Sequence, residues 1–217
     1  MKFYTAKTPK LVKWLAPSLI WEFSVSEKSI YLTFDDGPIP EVTPWVIEQL
    51  SKVNAKATFF CIGDNVEKYP EIFKQLIREG HAIGNHTQHH VNGWRTSNTS
   101  YIQNVDKAEK TFSNLIDSKK NSKPYLFRPP YGKITPSQIK RLTKLDYKII
   151  MWDVLSADFD TTINSEKCLE NVIKNTKKGS IVVFHDSLKA FEKLQFTLPK
   201  VLQHFNKLGY EFKKITI

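Results

Sequence analysis

Residues 180–184, Ser180-Ile181-Val182-Val183-Phe184, form a nearly all-apolar run that ends on His185-Asp186. A strand without a polar face must be covered on both sides, the signature of a parallel sheet sheathed by helices. The rest of the chain keeps the alternation this requires. Strand-like runs rich in β-branched and aromatic residues fall at 29–34, 57–61, 81–84, 125–128, 148–152 and 210–212. Between them lie segments with helical apolar spacing at 41–53, 70–79, 100–115, 136–145, 167–176 and 188–208. Val42, Trp45, Val46, Ile47 and Leu50 mark the first of these, and Gly80 stops the second. Strand–helix alternation throughout predicts an α/β fold, a distorted (β/α)7-type barrel smaller than the eight-fold form, with a single catalytic domain. The strand C-termini then share one face, where Asp35, Asp36, His86, Arg128, Asp158 and His185 all fall.

The 217 residues suit one sizeable core rather than two. The division expected is an N-terminal extension, 1–28, packing on a catalytic domain, 29–217. Within the extension, residues 10–17 predict a short amphipathic helix docking on the domain, followed by Leu19-Ile20-Trp21 packing. A signal peptide is disfavoured because Lys13 interrupts the apolar run and Pro17 ends it. A peripheral membrane contact is the sharper alternative. No apolar stretch approaches the ~20 residues of a membrane span. The formal charge is +10, from 32 Lys and Arg against 22 Asp and Glu, but the basic residues are dispersed and Lys119-Lys120 and Lys177-Lys178 are only pairs. Without a nucleic-acid-binding motif, nucleic acid is not an expected partner. Cys61 and Cys168 read as buried or semi-buried free thiols, suiting a reducing compartment. A cytoplasmic or peripheral-membrane location follows as an expectation, with export left open, and a monomer is expected.

Five residue clusters carry chemistry. In Thr33-Phe34-Asp35-Asp36-Gly37-Pro38, two carboxylates sit at a strand end and repel unless a cation or hydrogen-bond donors compensate them. One could hold a metal while the other serves as a base. Of the six histidines, four lie between 81 and 90. His86 and His90 are four apart, facing one side if helical, and with an aspartate they would make a two-His, one-carboxylate metal set. On composition alone His89 could replace either. In Arg128-Pro129-Pro130-Tyr131-Gly132, Arg128 could pair with a strand-end carboxylate, and the Tyr131 N–H could serve an oxyanion. Trp152 and Phe159 could wall an apolar pocket. His185 could be a general acid with Asp158 raising its pKa and holding its ring.

These segments, in this order over about residues 29–186, resemble the motifs of the polysaccharide deacetylases of carbohydrate esterase family 4. That family includes peptidoglycan N-acetylglucosamine and chitin deacetylases. The resemblance implies Asp35 as catalytic base, Asp36, His86 and His90 as metal ligands, and His89 outside the ligand set. Thr87 would brace its loop. Arg128 would orient the base, Tyr131 would give the oxyanion N–H, and Asp158 would tune the acid His185. Pro130, Trp152, Phe159 and Val183 are the expected substrate pocket. Phe159 stands where the family usually has Trp, and Val183 where it usually has Leu. The activity implied is metal-dependent removal of N-acetyl groups from amino sugars of a glycan, releasing acetate. Zinc is the first-choice divalent ion, with cobalt and nickel also suited, and an N-acetylated glycan is the partner. Rival readings are a deformylase or other C–N amide hydrolase on a lipid-linked or small substrate, and a non-catalytic glycan-binding module.

Overall fold

The computed structural model describes residues 4–116 and 125–217, so the Lys119-Lys120 pair lies outside the described residues. Two strands form its centre. β1 (Ser29–Asp35) and β7 (Ile181–His185) run parallel in a register that sets Phe34 against Phe184 and Asp35 against His185. The apolar character of both runs is satisfied by burial: Ile30, Leu32, Phe34, Val182 and Phe184 are fully buried. On the other side of β1 lies β2 (Thr58–Cys61), followed by β3 (Ala82–Asn85), β4 (Tyr125–Phe127) and β5 (Tyr147–Ile149). β6 (Val154–Leu155) pairs with the far side of β7, and the short β8 (Glu211–Phe212) adds to the start of β1. Every ladder is parallel, and the order is β5-β4-β3-β2-β1-β7-β6. Phe34 stacks between Phe59 and Phe184 at centroid distances of 5.0 and 5.9 Å, an aromatic layer across the three central strands.

That order forces the sheet to curl. β5 and β6 stand at its two ends, six inter-strand steps or about 29 Å apart if the sheet were flat. The links from Ile149 to Val154 reach at most about 18 Å. Residues 147–155 therefore act as one bent strand, paired first with β4 and then with β7, and the sheet wraps into a distorted half-barrel. The helices cover its outside: α2 (Val42–Ser51), α3 (Gly63–Lys68), α4 (Pro70–Arg78), α5 (Asn98–Ser113), α6 (Pro136–Lys144), α7 (Ser165–Asn175) and α8 (Phe191–Lys207) follow a preceding α1 (Lys10–Leu15). Val46, Leu50, Phe73, Leu76, Val172, Leu194 and Leu198 join the sheet in the largest hydrophobic cluster. α6 begins with a capping box, Thr135 with Gln138, and Pro136 in its first turn.

The N-terminal segment closes the seam between β5 and β6. Ile20 bridges in parallel to Ile150, while Lys7 and Glu22 bridge antiparallel to Val154 and Ser180. Lys7 Nζ and Lys13 Nζ each lie 2.5 Å from a carboxylate oxygen of buried Asp153, which also accepts from Ser180 Oγ at 2.6 Å. Leu19 packs as expected, but α1 does not dock through an apolar face. Lys13 is turned inward and Leu11, Trp14 and Leu15 face solvent, because the buried Asp153 carboxylate needs a cation more than the core needs another side chain. α3 and β6 are further additions to the expected elements. The polar sequence of α3, Gly63-Asp64-Asn65-Val66-Glu67-Lys68, has one apolar anchor, and β6 has only two residues.

Candidate active site

At the C-terminal end of β1 the two aspartates part company. Asp35 is buried and receives a 2.7 Å hydrogen bond from Arg128 Nη1. Asp36 follows in the left-handed region (φ 83°), which turns the chain so that neighbouring side chains need not point to opposite faces. The turn is clamped from the neighbouring strand. Asp186 N donates to Asp35 O at 3.0 Å, Gly37 N donates to Asp186 Oδ1 at 3.0 Å, and Thr43 Oγ1 donates to Asp186 Oδ2 at 2.6 Å. Gly37 has no room for a side chain, since a Cβ there would lie 2.0 Å from Asp186 Oδ2. Burial pushes the Asp186 carboxyl up to about 8, with Asp36 adding to the rise and the Thr43 hydroxyl opposing it.

His86 and His90 come from the loop after β3. They do not lie on one helical turn: residues 86–92 are irregular, with Thr87 at φ 67° and His90 at φ 51°. These two turns, held by Thr87 N to Asn85 Oδ1 and Val91 N to Thr87 Oγ1, bring the two rings together without a helix. His86 Nδ1 lies 2.7 Å from the carbonyl of Arg128, which can only accept. The ring therefore carries its proton on Nδ1 and keeps a lone pair on Nε2. Burial keeps this ring neutral, its pKa pulled down to about 3, and burial also lowers His90. The two Nε2 atoms stand 3.7 and 3.3 Å from Asp36 Oδ1. That oxygen is buried and accepts no hydrogen bond among the described residues. The three donor atoms lie within 4.8 Å of one another. A neutral imidazole lone pair facing an unpartnered carboxylate oxygen is repulsive unless a cation sits between them, so these residues fit a divalent metal with open coordination positions. His89 turns away, its Nδ1 2.8 Å from Asp64 Oδ2.

Arg128, at the end of β4, is fully buried. Its guanidinium donates to Thr33 Oγ1 and Asp35 Oδ1 (2.7 Å each), Ile150 O (3.1 Å) and Met151 O (2.8 Å), and lies 4.1 Å over the Phe60 ring. A single side chain thus ties β1, β4 and the bend after β5 together. Tyr131 is left-handed (φ 60°), and its hydroxyl is 3.1 Å from His90 Nδ1. Across the cleft, His185 Nδ1 lies 2.8 Å from Asp158 Oδ1 and His185 N donates to Asp158 Oδ2 at 2.8 Å. Burial alone would lower the His185 pKa. The Asp158 carboxylate outweighs it, with help from Asp36 and Asp35, and the pKa rises to about 9. Non-glycine residues with positive φ thus recur in four of the loops that make the site, at Asp36, Thr87 and His90, Tyr131, and Ala157.

A cavity of about 300 Å³ lies over these groups, lined by Asp35, Asp36, His86, His90 and His185 and walled by Trp152, Leu155, Phe159 and Val183. Pro130 does not line it. The carbon wall from that loop is Pro129, while Pro130 is buried in the short 3-10 turn beneath Tyr131. Arg128 and Asp158 lie behind the cavity, fully buried. Three residues with no role among the sequence-based expectations belong here. Tyr4, brought by the N-terminal segment, lines the cavity, packs on Phe159 (5.8 Å) and donates to Asp160 Oδ2 at 2.6 Å. Nothing in the sequence links positions 4 and 160. Leu155 arrives on the unforeseen β6, and Asp186 was visible only as the residue after His185.

The family model described as polysaccharide deacetylase matches residues 24–150, more than half of the chain. A peptidoglycan-N-acetylglucosamine deacetylase of Bacillus cereus is 34% identical over 197 residues, covering 90% of each chain. A chitooligosaccharide deacetylase of Azorhizobium caulinodans is 34% identical over 163 residues, 74% of this chain and 75% of that protein. Among solved structures, the Bc1960 peptidoglycan N-acetylglucosamine deacetylase superposes with a TM-score of 0.86 at 30% identity, covering 96% of this chain and 95% of that one. With this fold, these relatives and an Asp–His–His cluster beneath the cleft, the chain belongs to the polysaccharide deacetylase family, carbohydrate esterase family 4.

Proposed function

We propose that the chain hydrolyses the N-acetyl group of N-acetylglucosamine-type residues in a glycan or its oligosaccharides, releasing acetate and a free amino sugar. The observation that carries this reading is the juxtaposition of three units in one cleft: Asp36 with His86 and His90, Asp35 with Arg128, and His185 with Asp158. Asp36, His86 and His90 would hold the divalent ion, zinc by preference for this N/O donor set, with cobalt and nickel also suited. When bound, the ion would supply Lewis-acid polarisation of the acetamide carbonyl and lower the pKa of water.

The chain's own residues divide the proton work. Asp35 takes a proton from the attacking water as its oxygen adds to the acetamide carbon. Arg128, 2.7 Å away, orients that carboxylate with a charge-assisted hydrogen bond. The Tyr131 backbone N–H donates to the carbonyl oxygen as it gains charge. His185, protonated through its Asp158 partner, gives a proton to the amine nitrogen as the C–N bond breaks. Trp152, Leu155, Phe159 and Val183 supply the apolar wall against which the acetyl methyl rests. The similarity to a peptidoglycan-N-acetylglucosamine deacetylase supports an N-acetylglucosamine substrate. The test is a release assay with zinc-loaded protein over N-acetylated oligosaccharides, muropeptides and sugar nucleotides, with acetate and formate measured separately. Acetate from at least one N-acetylated saccharide supports the reading. Formate release from formylated analogues alone would replace it with a deformylase.

A further inference from the structure

α1 carries its polarity the reverse of an ordinary surface helix. Leu11, Trp14 and Leu15, spaced i, i+3 and i+4 on one face, are 64, 74 and 67% exposed, and no residue of the helix is buried. The inward residue is Lys13, 2.5 Å from Asp153 Oδ1 and 3.1 Å from Glu22 Oε2. A packed surface helix normally does the opposite. The geometry is fixed rather than accidental: Thr8 N donates to Asp153 O, Thr8 Oγ1 to Trp152 O, and Lys7 grips the same Asp153. The outward apolar face is therefore presented by a polar anchor beneath it.

Charge points to what covers this face. Lys10 flanks the apolar residues. Ala16 and Leu19, just past α1, share a hydrophobic cluster with Ile139 and Leu142 of α6. α6 in turn exposes Lys140, Arg141 and Lys144, and Lys148 of β5 is exposed as well. The whole chain carries +10. A six-residue helix is only about 9 Å long, far less than the roughly 800 Å² per partner of a standard protein interface requires. Trp and Leu side chains beside Lys are what the headgroup boundary of a bilayer accepts. No helix of the described residues is long and apolar enough to cross a membrane, so contact would be at the surface.

We propose that Leu11, Trp14 and Leu15, with Lys10 and the basic residues of α6, form a reversible docking surface for an anionic lipid bilayer. This inference does not depend on the proposed reaction. The test is co-sedimentation of the full chain with vesicles of phosphatidylglycerol and phosphatidylcholine, against vesicles of phosphatidylcholine alone, with the oligomeric state measured by light scattering. The expected result is binding to the anionic vesicles that added salt weakens. Replacing Lys140 and Lys144 with Ser should weaken it roughly fivefold per residue. The combined Leu11→Ser, Trp14→Ser and Leu15→Ser variant should fold normally by circular dichroism, since those side chains are exposed, and lose binding at least about tenfold. No binding to anionic vesicles, or equal binding by that variant, would overturn the proposal. So would a dimer that the variant dissociates, which would make a second copy the occupant.

Discussion

At the residue scale the site depends on close approaches more than on residue type. Gly37 sits where a Cβ would meet the Asp186 carboxylate at 2.0 Å. Gly37→Ala should therefore displace the turn carrying Asp36, with a loss of stability of about 1–3 kcal/mol and a fall in kcat/KM on the order of 10²-fold. Denaturant melts and steady-state kinetics measure the two separately, and unchanged kinetics would remove Asp186 as the clamp. Tyr4 is the counterpart on the cavity wall. Tyr4→Phe should keep the ring contact on Phe159 and lose only the bond to Asp160, whereas Tyr4→Ala should raise KM more than it lowers kcat. Equal kinetics for Ala and wild type would leave Tyr4 without a role in the cleft. Asp35, Asp36, His86, His90, Arg128 and His185 were legible as residues because their chemistry is unusual at strand ends. Tyr4 was not, because its partner Asp160 is 156 positions away. Neither was the choice of Pro129 over Pro130, which depends on a turn at Tyr131 that neighbouring residue types do not dictate.

At the element scale, β7 and the loop after β6 bring His185 and Asp158 together in the cleft. Asp158 both accepts from the backbone of His185 and holds its ring. A raised His185 pKa means the imidazolium persists as pH rises, and activity that needs its proton is lost only as pH passes that pKa. Removing the Asp158 charge should move the basic limb of the kcat profile to lower pH. A divalent cation held by Asp36, His86 and His90 would lower the limb in both proteins without reversing their order. Asp158→Asn with an unshifted basic limb would take His185 out of the acid's role. The central strand β7 was legible from its unbroken apolar run, and the long helices from periodicity. The i,i+4 spacing of His86 and His90 does not reveal the loop that holds them, because it is equally consistent with one helical turn and with two left-handed residues in an irregular loop. β6 was missed because two residues carry no period.

At the scale of the whole molecule, a parallel sheet whose ends are joined by a short bend must curl, and the N-terminal segment then seals the seam. Strand–helix alternation made the class of fold legible, but not this seal, since Lys7, Lys13 and Asp153 look like ordinary surface charges in sequence. Burial works against ionisation of Asp153, but the hydrogen bonds from Lys13, Lys7 and Ser180 outweigh it and hold its pKa below the usual value. With a depressed folded pKa, the contribution of this site to stability is present above the unfolded carboxylate pKa and is lost as pH falls through the folded one. Wild type should lose melting temperature on acidification below about pH 4. Asp153→Ala should cost about 3 kcal/mol at neutral pH and flatten that acid dependence. A thermal melt series across pH checks both. The proposed separation of roles at the end of β1 has Asp35 moving the proton and Asp36 holding the ion. Paired calorimetric zinc titration and acetate-release assays on Asp35→Asn and Asp36→Asn test it directly. The prediction is that Asp35→Asn binds zinc as wild type does and loses turnover by about 10²–10⁴-fold, while Asp36→Asn loses zinc affinity. Loss of zinc by Asp35→Asn, or retained turnover in it, would contradict the account.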